Sequence, residues 1–227
     1  TLFTLEGSEP VSRMGQVRWY QKPKKGHIYV VGLDPSLGTG SDPAAIQVFD
    51  ANTTTQVGEW KHNKTDIPSQ IKLLAQINKY IAECTGEPDS IYYSIENNSI
   101  GEAALISLNE YGESNIPGIF LSETGKKRKG FNTTHKVKLT ACAKFKTLLE
   151  SKRMKVYSKS LISELKTFVA SGGSYQAKIG DTDDLVMASL LVVRMFQHLS
   201  DFHYNLEEQI RDHSDIIMPL PFYAILG

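Results

Sequence analysis

The sequence predicts an α/β domain: a mixed central sheet that starts with an antiparallel three-strand meander and carries helices on both faces. Three observations point there. The apolar runs "HIYVVGLD" (27–34), "AAIQVFD" (44–50) and "TQVGEWKH" (55–62) follow one another across short turns, as strands of a meander do. Beyond residue 66, β-rich and helix-periodic segments alternate, which calls for helices packed on a sheet. A length of 227 residues, 41% of them apolar and 22% charged, suits one globular domain with a sizeable core.

Taken in order, residues 1–26 mix Gly, Pro and charge and read as a linker or lead-in, with "QVRWY" (16–20) as a strand. After the meander, Ile71, Leu74, Ile77 and Ile81 recur at helical spacing, and Pro68 sits where a first turn accepts it, so a helix is expected over 67–84. "SIYYSIE" (90–96) is a strand, 98–112 a helix with Gly112 as C-cap, and "GIFLS" (118–122) a short strand. The stretch 123–135 has no periodicity and predicts a basic loop, followed by an amphipathic helix over 136–150. "KVYS" (155–158) reads as a strand, 158–171 as a helix, "GGSYQAKIGDT" (172–182) as a Gly-rich loop, and 183–199 as a strongly apolar helix. The expected division is 1–26 lead-in, 27–200 domain and 201–227 tail.

Cys84 and Cys142 lack metal-ligand spacing, which predicts a disulfide-free cytoplasmic protein without zinc. No apolar run approaches the roughly 18 residues of a membrane span, so no membrane partner is expected. The chain opens on Thr1 with no signal-peptide pattern and is expected to be part of a longer protein. Formal charge is zero but uneven: residues 122–178 hold fourteen Lys and Arg against three Glu, a balance of +11. A basic segment beside acidic residues is the pattern of a phosphate backbone held near a cation site, or more plainly of a solvated helix face.

The acidic residues in question close three elements. Asp34 ends the first meander strand just before "PSLGTG", where its carboxylate either caps a turn or faces a crevice. Glu96 ends "SIYYSIE" at the start of a helix, where it either favours the helix dipole or joins Asp34. Asp181, Asp183 and Asp184 crowd the start of the last helix, more acids than capping requires. Such a set can converge on hard divalent ions, which take one or two carboxylates and complete their shells with water and phosphate. Two ions about 4 Å apart can activate a water and stabilise the leaving oxygen of a phosphodiester. No Ser-His-Asp or Cys-His set stands out, and the six histidines are scattered.

"VRWYQKPKKGHIYVVGLDPSLGTGSDPAAIQVFD", "IYYSIENNSIGEAAL" and "GGSYQAKIGDTDDLVMASLL", in that order, resemble the C-terminal nuclease domain of the tailed-phage large terminase, T-even-like, over residues 17–199. The resemblance implies a ribonuclease H-like fold and metal-dependent cutting of double-stranded DNA during genome packaging, without sequence preference. Its three acids fall on Asp34, Glu96 and Asp184, with Asp183 as the ambiguous neighbour and Thr182 where relatives often have His. It implies Mg2+, with Mn2+ as an alternative, as two ions: Asp34 shared, Glu96 and Asp184 holding one each. Lys126, Lys127, Arg128, Lys129, Lys136, Lys138 and Lys144 are the residues expected to hold the DNA backbone. The family's ATPase motor lies N-terminal to the nuclease, and no G-x-x-x-x-G-K-[ST] occurs in these residues. That motor, the portal and the small terminase are implied as partners, in the cytoplasm of an infected bacterium.

Other classes use similar residues. A Holliday-junction resolvase would use the same acids and prefer four-way junctions. An actin-like or chaperone-type ATPase would use "GLDPSLGTGSD" as a phosphate loop, but would need a second such loop and a longer chain. A docking module would be indifferent to Asp34→Asn.

Overall fold

A computed structural model describes residues 4–125 and 128–200. The meander is present: β3 (Tyr29–Asp34), β4 (Ala44–Asp50) and β5 (Thr55–His62) pair antiparallel in sequence order. It is extended at one edge by β1 (Ser12–Met14) and β2 (Val17–Trp19), so the lead-in segment contributes two strands, and β2 pairs with β5. On the other side β6 (Ile91–Ile95) runs parallel to β3, and β7 (Ile119–Phe120) parallel to β6. The seven strands lie in the order β1-β2-β5-β4-β3-β6-β7.

Helices cover both faces. On one, α1 (Ile67–Thr85) and α2 (Ser99–Tyr111) bury Ile71, Leu74, Ala104 and Leu108 against Val31, Leu33, Ile46 and Val48. On the other, α3 (His135–Glu150), α4 (Lys159–Thr167) and α5 (Asp184–Ser200) pack with Val30, Ala45 and Phe49. The boundaries follow local chemistry. Asp66 accepts from the Ser69 N–H at 2.8 Å to start α1, and Gly86 at φ 72° ends it. Helix α5 buries residues all around its circumference, from Leu185 to Leu199, as a helix between a sheet and other helices must.

Two stretches differ from expectation. The helix beginning near Ser158 stops at Thr167, and β8 (Phe168–Ser171) and β9 (Ser174–Ala177) form a hairpin where a helix end and a loop were expected. Gly172 and Gly173, at φ 57° and 81°, supply the two positive φ values of a tight hairpin turn, which outweighs the helical spacing of Phe168 and Val169. "KVYS" forms only isolated bridges, Thr55 to Lys155 and Ser8 to Ser158. The buried Gln56 side chain accepts from the Tyr157 and Ser158 N–H groups, at 2.8 and 2.9 Å, so those donors do not feed a strand ladder.

Side-chain alternation now places the acids. Val30 and Asp34 share the parity that faces α5, whereas Val31 and Leu33 face α1; in β6, Tyr93 and Ile95 face the α1 side, so Glu96 faces α5.

Candidate active site

Strands β3 and β6 are parallel, with Leu33 opposite Ile95 as their last paired positions. Asp34 and Glu96 come one step later on adjacent strand ends, and the Glu96 N–H donates to the Leu33 carbonyl at 2.9 Å. Carboxyl ends of parallel strands are where open α/β sheets place their ligands. Helix α2 comes very close here: a methyl group on Gly101 would sit 2.0 Å from the Glu96 carbonyl oxygen, so the glycine permits the approach. Asn98 caps the same helix by accepting from the Ile100 and Gly101 N–H groups, both at 3.0 Å.

The Asp34 and Glu96 side chains are both buried at these neighbouring strand ends. A second carboxylate close by disfavours the charged form of the first. Burial holds the Asp34 carboxyl well above the usual range, reinforced by Glu96 and then by the charges of Asp184 and Asp183.

Asp184 is the first residue of α5 and lies within electrostatic reach of Asp34. Its own carboxyl is raised by burial and lowered by the Lys61 ammonium, which lies 3.5 Å from Oδ2. Asp183 is turned elsewhere: its Oδ2 accepts from the Ala177 N–H at 3.1 Å, tying β9 to the start of α5, and its carbonyl accepts from Met187 N at 2.8 Å. The two adjacent aspartates thus differ in their contacts: Asp183 fastens the hairpin and Asp184 lies beside Lys61, while both add their charge at Asp34.

The donors suit a hard divalent ion. Glu96 Oε2 and Asp184 Oδ2 are buried without a hydrogen-bond partner, and the acids crowded around Asp34 disfavour its charged form, a penalty a bound cation would relieve. Among the described residues, no three His, Cys, Asp or Glu side chains form a ready-made metal cluster. Magnesium rarely needs one, because it is held by one or two carboxylates and keeps water and substrate phosphate as its other ligands.

Residues 31–196 match the family profile described as the terminase RNaseH-like domain. The chain belongs to that family. The structure of this terminase RNaseH-like domain resembles the large terminase nuclease of thermophilic phage G20c, described with bound magnesium, at TM-score 0.64 and 20% identity over 84% of this chain and 92% of that one. It resembles the large terminase nuclease domain of Thermus phage P74-26 at TM-score 0.60 and 21% identity over 83% and 89%. The human cytomegalovirus terminase nuclease domain follows at TM-score 0.55 and 13% identity over 79% and 86%. The fold is therefore ribonuclease H-like, the mixed sheet flanked by helices that the sequence predicted.

Of the basic residues expected on DNA, Lys126 and Lys127 lie outside the described residues. In the terminase domain Arg128 and Lys136 are exposed. Lys129 is paired with Glu113 and sits over the Phe120 ring at 4.7 Å, and Lys138 lies over the Phe168 ring at 5.5 Å. Lys144 is half-buried on α3. Two residues near the acids were not anticipated. Lys61, on β5, makes an ion pair with Glu164 on α4, and Thr182 lies between them. A surface cleft of about 540 Å³ opens beside them, lined by Arg18, Lys61, His62, Ser163, Glu164 and Thr182. No local signal announced this pair, because Lys61 precedes Glu164 by 103 residues.

Proposed function

We propose that this domain is a divalent-metal-dependent endonuclease that cuts double-stranded DNA, with Asp34, Glu96 and Asp184 holding the metal. The observation that carries this is the pair of buried carboxyls, Asp34 and Glu96, at adjacent strand ends, with Asp184 nearby. Family membership and the likeness to nuclease domains described with magnesium, cobalt and zinc support it. Bound there, a divalent ion supplies Lewis-acid chemistry and a water of lowered pKa for phosphodiester hydrolysis.

The chain's residues supply the rest. Asp34, which ends the strand next to that of Glu96 and is influenced by the charge of Asp184, is the carboxylate suited to be shared when two ions bind. Glu96 and Asp184 each bring one buried oxygen without a hydrogen bond. The surrounding sheet and α5 keep these oxygens dry and fixed, so binding substrate requires little reorganisation. Exposed cations such as Arg128 and Lys136 offer contacts to a phosphate backbone, the sequence-independent part of DNA binding. We place the activity in DNA packaging within an infected bacterium, with an ATPase motor, portal and small terminase as partners.

Supercoiled plasmid incubated with Mg2+ or Mn2+ tests this, with chelator and with Asp34→Asn, Glu96→Gln and Asp184→Asn as controls. Metal-dependent nicking and linearisation by the wild type, abolished by each substitution in folded protein, is expected. Equal cutting by wild type and all three variants would remove the site.

A further inference from the structure

Lys61 lies in the same row of the sheet as the acidic pair. The register sets Lys61 opposite Ala45 and Ala45 opposite Asp34, so one line across β5, β4 and β3 leads from the lysine to the first carboxylate and on to Glu96. The residue between them is a fully buried alanine, which leaves the α5 face of that row clear for the lysine side chain. The lysine does not extend into solvent. Its ammonium donates to Glu164 Oε1 and Thr182 Oγ1 and stands 3.5 Å from Asp184 Oδ2, an ion-pair separation and not a normal hydrogen bond.

Glu164 is held from several directions. It is 6% exposed, accepts from the Val186 N–H in the first turn of α5 at 3.0 Å, and accepts from Thr182 at 3.3 Å. Helix α4, which carries it, is fixed at its start by Ser158. That hydroxyl accepts from Leu161 N at 2.9 Å and donates to the buried Glu59 at 2.6 Å. Glu59 in turn accepts from Arg18 at 2.9 Å and lies on β5, two residues before Lys61. The ion pair therefore joins β5, α4 and α5 at the residue where α5 begins.

We propose that Lys61 and Glu164 are a positioning pair for Asp184: Glu164 fixes the Lys61 ammonium beside one Asp184 oxygen and so sets how Asp184 is presented to a cation. The proposal rests on the metal-dependent nuclease reading above. A buried ion pair contributes little net stability compared with apolar residues of the same shape, so stability alone does not account for this one. Partners that orient ligating carboxylates tune metal affinity and activity without touching the metal.

The test measures Mn2+ affinity, by the free-ion electron paramagnetic resonance signal, and steady-state cleavage of duplex DNA. Wild type is compared with Glu164→Gln, Lys61→Met, Lys61→Arg, the Lys61→Met/Glu164→Gln double variant and Asp184→Asn. Glu164→Gln is isosteric and keeps an acceptor for Val186 N–H, so it retains the fold, checked by thermal melting. Glu164→Gln and Lys61→Met are each expected to weaken Mn2+ binding and lower kcat by roughly tenfold or more, with KM for DNA unchanged. The double variant falls no further than the worse single one, because the two residues act as a unit, and Lys61→Arg recovers most of the loss. Wild-type Mn2+ affinity and kcat in Glu164→Gln and Lys61→Met would overturn the pair while leaving the nuclease site intact. A loss confined to KM would overturn it in favour of direct DNA contact. Wild type that fails to bind Mn2+, or binds it no better than Asp184→Asn, would remove the underlying site and the pair with it.

Discussion

Asp34 is a carboxylate that folding makes harder to ionise, and that has a consequence for stability. Its folded pKa is raised by burial and by its acidic neighbours, so the native state keeps a proton that the unfolded chain has already lost. Between the ordinary carboxylate range and the raised native value, the unfolded state binds fewer protons, and stability falls as pH rises. Burial raises Asp184 and Glu164 in the same direction, against the opposing effect of Lys61. Metal-free protein is therefore expected to melt at a lower temperature as pH rises above the ordinary carboxylate range, and added Mg2+ to restore more at the higher pH, because it binds the ionised form. Asp34→Asn should melt a few degrees higher than wild type in chelator at neutral pH and lose the gain from Mg2+. Calorimetric melts across pH, with and without Mg2+, check both; a metal-free stability that climbs with pH would contradict the buried-acid account.

At the scale of elements, two local devices hold the acids in place. The first is the close approach of α2 to the end of β6. Gly101→Ala places a methyl group against the Glu96 carbonyl, and we expect a loss of about 1–3 kcal/mol in chemical denaturation. Any activity that remains should need more metal than wild type, since Glu96 must shift. The second is the Asp183 bond to Ala177 N–H, which fastens the β8–β9 hairpin to the start of α5. Asp183→Ala is expected to cost about 1 kcal/mol, the usual scale for one hydrogen bond. Amide exchange at Ala177 should accelerate while core strands β3 and β4 remain protected; an unchanged Ala177 rate would show that the bond does not anchor the hairpin.

Over the whole molecule, charge separates into an acidic centre and a basic segment. Residues 122–178 carry +11, but Lys129 and Lys138 already have internal partners, while Arg128 and Lys136 are exposed. Binding to duplex DNA should weaken with salt, and Arg128→Ala with Lys136→Ala should flatten the log–log slope by up to about 0.9 for each phosphate no longer neutralised. Lys129→Ala should leave the slope nearly unchanged. Equal slopes in all these proteins would place the DNA elsewhere.

The meander, the helices at 67–84 and 183–199 and the positions of Asp34 and Glu96 were legible from the chain alone, because each rests on short-range pattern: alternation, helical spacing, or an acid where an apolar run stops. The crowding of Asp183 and Asp184 at the start of α5 was legible too, but not the bond from Asp183 to Ala177 N–H or the place of Asp184 beside Lys61. The hairpin at 168–177 was hidden because Phe168 and Val169 continue a helical spacing that only the Gly172–Gly173 turn and the bond from Asp183 override. Lys61 and Glu164 read as a strand-end lysine and a helix-face glutamate, both ordinary in solvent. Strand register brings Lys61 into the row of Asp34, and the docking of α4 against β5 brings Glu164 to it. Local sequence determined which residues end each element, since backbone and side-chain preferences act over a few residues. Tertiary structure alone decided which of those ends meet, because register and helix docking depend on packing between residues far apart in the chain.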